Sequence, residues 1–180
     1  MPIPLHVRKG PLDLVDTMLE CHGRIREFVE VARRIGSARG VPPAQIASAA
    51  ADVQRYFRHG LPHHVEDEEK SLLPRLRGRS REVDEALAEM EREHREHEAL
   101  LARLLARMDE LRADPAAHGR LASEVTAAAD ALGAAFDRHL SAEEQRVFPA
   151  VRALLPAAEQ AAILAELRAR RAPPPPGARG

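Results

Sequence analysis

One pattern occurs twice in the chain: a His, two Glu at the fourth and fifth positions after it, and a Pro at the tenth. It reads His64-Val65-Glu66-Asp67-Glu68-Glu69 followed by Pro74, then His139-Leu140-Ser141-Ala142-Glu143-Glu144 followed by Pro149. The offsets agree, since 139−64, 143−68 and 149−74 each give 75. On a helix, positions four apart share a face and lie about 6 Å apart along the axis. Each copy therefore offers an imidazole and a carboxylate to one point beside a helix. A single His–Glu pair is ordinary on a helix surface. Two copies with matched followers point to two helices closing on a shared metal site.

The rest of the chain supports helices. No segment alternates apolar and polar residues over a strand's length, whereas apolar positions recur at steps of three and four. Val15, Met18, His22, Ile25, Val29 and Ala32 define a first helix, from about Pro11 to Gly36. A second starts near Pro43, runs through Val53, Phe57, Glu68, Leu72 and Leu73, and finishes near Arg77-Gly78. Within it, Gly60 and Pro62 predict a kink or a break just before His63 and His64. A third begins at the N-cap Ser80, carries the stripe Leu87, Met90, His94, His97, Leu101, Leu104 and Met108, and ends near Asp114-Pro115. A fourth runs from Pro115 or Gly119 to about Val147, with Leu121, Val125, Leu132, Phe136 and His139 facing inward. The class is all-α, and four amphipathic helices with short connections predict an up-down-up-down four-helix bundle. The expected organisation is a lead-in over 1–10, the bundle over 11–155, a short C-terminal helix over 156–171 and a disordered Pro-rich tail over 172–180.

Composition narrows the function. A net charge of −1 provides no general attraction to nucleic acid or membrane, and 3% aromatics without Trp leave no base-stacking surface. No apolar run approaches the length that spans a bilayer, and the N-terminus lacks the order of a secretory signal. The single cysteine, Cys21, excludes an internal disulfide and fits a reducing compartment. These observations favour the cytoplasm, with no partner protein indicated.

Nine histidines remain to be explained. His22, His94, His97 and His139 fall in phase with apolar stripes, and His64 shares a face with Leu61, Glu68 and Leu72. A lone core histidine is more often a hydrogen-bonded filler than a ligand. Five on four helices of one bundle are hard to satisfy in that way, and a metal satisfies them together. His6, His59, His63 and His118 share no face and read as surface or loop residues. On the third helix, His94 matches His22 by stripe phase and His97 matches it by the offset of 75. Both are expected to bind, His94 with the stronger case. The donor set is then five imidazoles with Glu68 and Glu143, all nitrogen and oxygen. It does not suit a closed structural zinc site, and it suits iron or manganese. Two bridging carboxylates, five imidazoles and an oxo or hydroxo bridge fill about eleven of twelve positions on two octahedral ions. One position stays open for a small ligand such as dioxygen.

This order of residues resembles a hemerythrin-like (HHE cation-binding) domain. It runs His22 on the first helix, His64-x-x-x-Glu68 on the second, a third-helix His and His139-x-x-x-Glu143 on the fourth. The Glu-Glu-x-x-x-x-Pro follower belongs to the same resemblance, which covers about residues 12–152. It implies a four-helix bundle with a non-haem diiron centre. Its ligands would be His22, His64, Glu68, His94, His97, His139 and Glu143, with Glu68 and Glu143 as bridges. The oxygen carriers of the family space their third-helix histidines by four and use an Asp five positions after the last His. Here the spacings are three, and a Glu at four. The resemblance is therefore to the broad domain family. The expected function is a diiron protein that binds or senses dioxygen or a related small ligand. The alternatives are a diiron enzyme acting on peroxide, nitric oxide or iron redox state, and a metal-free helical interaction module. A ferritin-like carboxylate site needs Glu-x-x-His on two helices, and only Glu91-x-x-His94 lies near the proposed site.

Overall fold

The structure, a computed structural model, describes residues 12–172. The expected lead-in, with His6, and the Pro173–Pro176 tail lie outside the described residues. Five helices account for nearly all of what is described, and the described residues contain no strand. Helix α1 spans Leu14–Ser37, α2 spans 43–76, α3 spans Arg81–Ala113, α4 spans 118–154 and α5 spans Ala157–Arg171. Helix α1 packs on α2 and α4, and α3 packs on the same two, so four helices form a closed ring. The closest pair is α1 and α4. At Gly36 an added Cβ would stand 2.8 Å from the backbone nitrogen of Thr126, so only glycine permits that approach.

Helix starts follow local chemistry. The Asp13 carboxylate accepts the Asp16 amide at 2.7 Å, and the Ser80 hydroxyl accepts the Val83 amide at 3.2 Å. Gly78, with φ of 77°, turns the chain between α2 and α3.

Two expectations are corrected. Gly60 and Pro62 do not break α2, and α4 continues past Val147 to Leu154. Both differences have one cause, the π turn, in which an amide bonds five residues back instead of four. In α2 the Leu61 amide donates to the Tyr56 carbonyl, just ahead of Pro62. Further along, the Leu73 amide donates to the Glu68 carbonyl ahead of Pro74, and the Phe148 amide donates to Glu143 ahead of Pro149. A proline lacks the amide that the helix would need, and a wider turn just before it absorbs the loss. The repeated Pro therefore marks a π turn that opens at the Glu of each His-x-x-x-Glu.

The apolar core is divided. One cluster joins Ile25, Val29, Phe57, Leu61, Leu104, Phe136 and Leu140. The other joins Met18, Leu72, Leu73, Met90, Val147 and Phe148 with Leu155, Ile163 and Leu167. On α1, α2 and α3 the polar candidates fall between the two: His22 between Met18 and Ile25, His64 and Glu68 between Leu61 and Leu72, His94 and His97 between Met90 and Leu104. Helix α4 repeats this, with Glu143 between Leu140 and Val147. A polar layer therefore crosses the apolar core.

Candidate metal centre

Six of the seven candidate residues converge in that layer. His22, His64, Glu68 and Glu143 form one group of potential donor atoms, and Glu68, His94, His139 and Glu143 form a second. Both glutamates belong to both groups, and each divides its oxygens between them. Glu68 sets Oε1 at 3.0 Å from His64 Nε2 and Oε2 at 3.3 Å from His94 Nε2. Glu143 sets Oε2 at 2.9 Å from His22 Nε2 and Oε1 at 2.8 Å from His139 Nε2. Four imidazoles thus present the same nitrogen, and two carboxylates lie between them.

Hydrogen bonding does not account for this arrangement. The Nε2 atoms of His22 and His64 and all four oxygens of Glu68 and Glu143 are buried without a hydrogen-bond partner. Isolated burial of such atoms costs several kcal/mol. Donors about 2.1 Å from one octahedral ion stand roughly 3.0 Å apart when adjacent. The N···O separations of 2.8 to 3.3 Å match that spacing. The donor set therefore fits two cations held side by side.

A second set of carboxylates orients the rings. His22 Nδ1 lies 2.8 Å from Glu144, which also accepts from Arg26 at 2.8 Å. His94 Nδ1 lies 3.2 Å from Glu69, and His139 Nδ1 lies 2.7 Å from Glu93. A carboxylate on the far nitrogen fixes the tautomer and strengthens the near nitrogen as a donor. The second Glu of each repeat serves the neighbouring half: Glu69 of α2 orients His94 of α3, and Glu144 of α4 orients His22 of α1. Glu66, on the same turn as Glu69, pairs with Lys70 instead. Glu93 was missed, because nothing distinguishes it from the other acidic residues of α3. His64 has no such partner on Nδ1.

His97 stands outside both groups. Its ring is buried 4.8 Å from Phe136 and 5.0 Å from His139, at 85° to the latter. Three residues beyond His94 it has turned about 60° and risen about 4.5 Å along α3, toward the Leu104 cluster. Of the histidines expected at the surface, His59 is exposed, His63 is half-buried, and His118 bonds the Ile35 carbonyl at 2.7 Å.

The electrostatics follow from burial. Burial pushes His64 down to about 3 and His97 down to about 4, so both rings are neutral near pH 7. Burial first, and then the charge of Glu143, push Glu68 well above the usual carboxylate range. Burial acts on Glu143 in the same direction, but His139 and His22 outweigh it and hold that carboxyl below its ordinary value. In the metal-free protein Glu68 is thus the carboxylate that takes a proton, and a cation must displace it. Metal affinity should therefore weaken as pH falls, and uptake should release protons to a weakly buffered solution. A pH-independent affinity, measured by competition with a chelator between pH 6 and 8, would contradict this.

A cavity of about 710 Å³ reaches the layer from the side of α2 and α3. Ile25, Phe57, Leu61, Leu101, Phe136 and Leu140 form its apolar walls, and His64, His94, His97 and His139 reach it. Glu68, Glu143 and His22 do not line it.

The fold and this layer define a metal-cation-binding helical bundle. The family model described as the hemerythrin HHE cation binding domain matches residues 13–151, and the chain belongs to that family. Domains of this family bind metal cations, typically iron. A search of curated proteins finds none that matches the chain. Among the described residues, no helix is long and apolar enough to cross a membrane.

Proposed function

We propose that the protein is a non-haem diiron protein in which Glu68 and Glu143 bridge two iron ions. His94 and His139 would hold the ion nearer the cavity, and the cavity would admit dioxygen or a related small ligand. The observation that carries this reading is the division of each glutamate's oxygens between two imidazole pairs. Bound iron would supply the redox-active centre to which a small ligand attaches. The protein's residues do the rest. Glu69, Glu93 and Glu144 hold three rings in register, and the two apolar clusters exclude water from both ends of the layer. The cavity gives an approach to His94 and His139, with apolar inner walls and with Glu66, Glu69, Glu91, Arg95 and Glu98 also lining it. Mixing the reduced, iron-loaded protein with dioxygen or nitric oxide tests this, with one ligand bound per chain as the expected result. No spectral response to either would contradict it.

The cavity volume of about 710 Å³ also favours a second reading, an enzyme using the same ions, because a diatomic ligand fills only a small part of that space. Consumption of many equivalents of peroxide or nitric oxide per chain would select the enzyme over the binding protein.

In this reading six side chains hold the ions and His97 is a cavity residue. His97→Leu protein should keep its full iron content and its optical spectrum. Its stability should stay within about 1 kcal/mol of wild type, because an apolar side chain replaces a neutral ring beside Phe136. Loss of one iron from this variant would instead make His97 the fifth imidazole ligand.

A further inference from the structure

We propose that α5 is a clasp on the metal layer, with Arg170 and Arg171 acting as positioning residues for the turn of α2 that carries His64 and Glu68. This rests on the diiron reading above. Asp67, one residue before Glu68, is fully buried. Its two oxygens are held by two adjacent arginines from the last turn of α5: Arg170 Nη1 at 2.7 Å and Arg171 Nη2 at 2.5 Å. Arg170 also donates to the buried Ser71 hydroxyl at 2.6 Å, and Ser71 donates to Glu166 of α5 at 2.5 Å. Arg75 closes the network on Glu166 at 2.6 Å. These contacts span the π turn Asp67–Leu72, where the backbone of α2 departs from regular helix geometry next to Glu68.

Helix α5 contributes only Ile163 and Leu167 to the core, so apolar burial alone gives it a small hold on the bundle. It also lies beyond the family match, which ends at residue 151. The second repeat provides a comparison within the same chain. At the offset of 75, Asp67 corresponds to Ala142 and Ser71 to Arg146, so the Glu143 turn has no equivalent clasp. Arg171 further lies 3.9 Å from the Cys21 sulfur, next to His22 in sequence. The clasp therefore touches both helices that supply the His22 and His64 position. That position is also the one where a ring, His64, lacks an orienting carboxylate on Nδ1. What α5 does for His64 and Glu68 from outside resembles what Glu69, Glu93 and Glu144 do for the other rings.

The test is iron release from the full chain to a strong ferrous chelator. Wild type is compared with Arg170→Ala/Arg171→Ala, Arg170→Lys/Arg171→Lys and Leu111→Ala. Leu111→Ala opens a cavity in the cluster away from α5, so it loosens the fold without touching the clasp. The double alanine variant should release one of its two ions at least about ten-fold faster than wild type, as removal of outer-shell partners generally does. The double lysine variant should recover most of the retention, and Leu111→Ala should release iron at the wild-type rate. Amide hydrogen exchange over residues 64–72 should rise in the metal-free alanine variant, which reads the positioning without iron. Wild-type release from the alanine variant, or equal acceleration in Leu111→Ala, would overturn the clasp alone. A wild-type protein that holds no iron would overturn the diiron reading and the clasp together.

Discussion

Glu143→Ala protein is expected to retain less than about a tenth of the wild-type iron, and Glu68→Ala the same. Each glutamate gives one oxygen to each imidazole pair, so its loss removes a donor from both ions at once. Removing one imidazole would weaken a single ion. The matched control is His118→Ala, whose ring bonds the Ile35 carbonyl beside α1 and α4, away from the layer. That variant should carry wild-type iron. Unchanged iron in both glutamate variants would remove these residues from any metal site.

The second large effect is on stability. Without metal, the layer keeps several polar atoms buried and without a hydrogen-bond partner between two apolar clusters. A cation that binds only the folded state stabilises it by roughly 2.7 kcal/mol at a hundred-fold excess over Kd. For a chain of this length, each kcal/mol moves Tm by about 2–4 °C. Iron-loaded protein should therefore melt roughly 5–11 °C above metal-free protein. Glu143→Ala should show almost no such shift. Equal melting temperatures with and without iron in the wild type would mean that the layer is stable as a polar core in its own right.

The helices were readable because their apolar positions repeat at steps of three and four, and because Ser80, Gly78 and Pro43 mark ends. Helix α5 was expected at 156–171 and runs over Ala157–Arg171. The π turns were not readable. Pro74 and Pro149 were visible as repeated followers, but a proline in a helical pattern reads first as an end or a kink. Only the bonds from Leu73 to Glu68 and from Phe148 to Glu143 show how the helix continues.

The centre was legible where a local spacing carried it. The pairs His64–Glu68 and His139–Glu143 lie within one turn, so sequence alone places them together. The third-helix histidine tested the limit of that reasoning. His97 lies 75 after His22, yet it is His94, at 94−22 = 72, that converges. Helix phase relative to the core decided the matter, since Met90 and Met18 each stand four residues before the converging ring. Contacts between distant segments left no local trace. Glu93 reaches His139 across the bundle, and Arg170 and Arg171 reach Asp67 from the far end of the chain.

The central claim is two iron ions bridged by Glu68 and Glu143. It is tested most directly by metal analysis of the aerobically purified chain together with its optical spectrum. The account predicts two irons per chain and the near-ultraviolet ligand-to-metal absorption of a bridged ferric pair. A single iron per chain without that absorption, or a folded protein that takes up no iron at all, would contradict it.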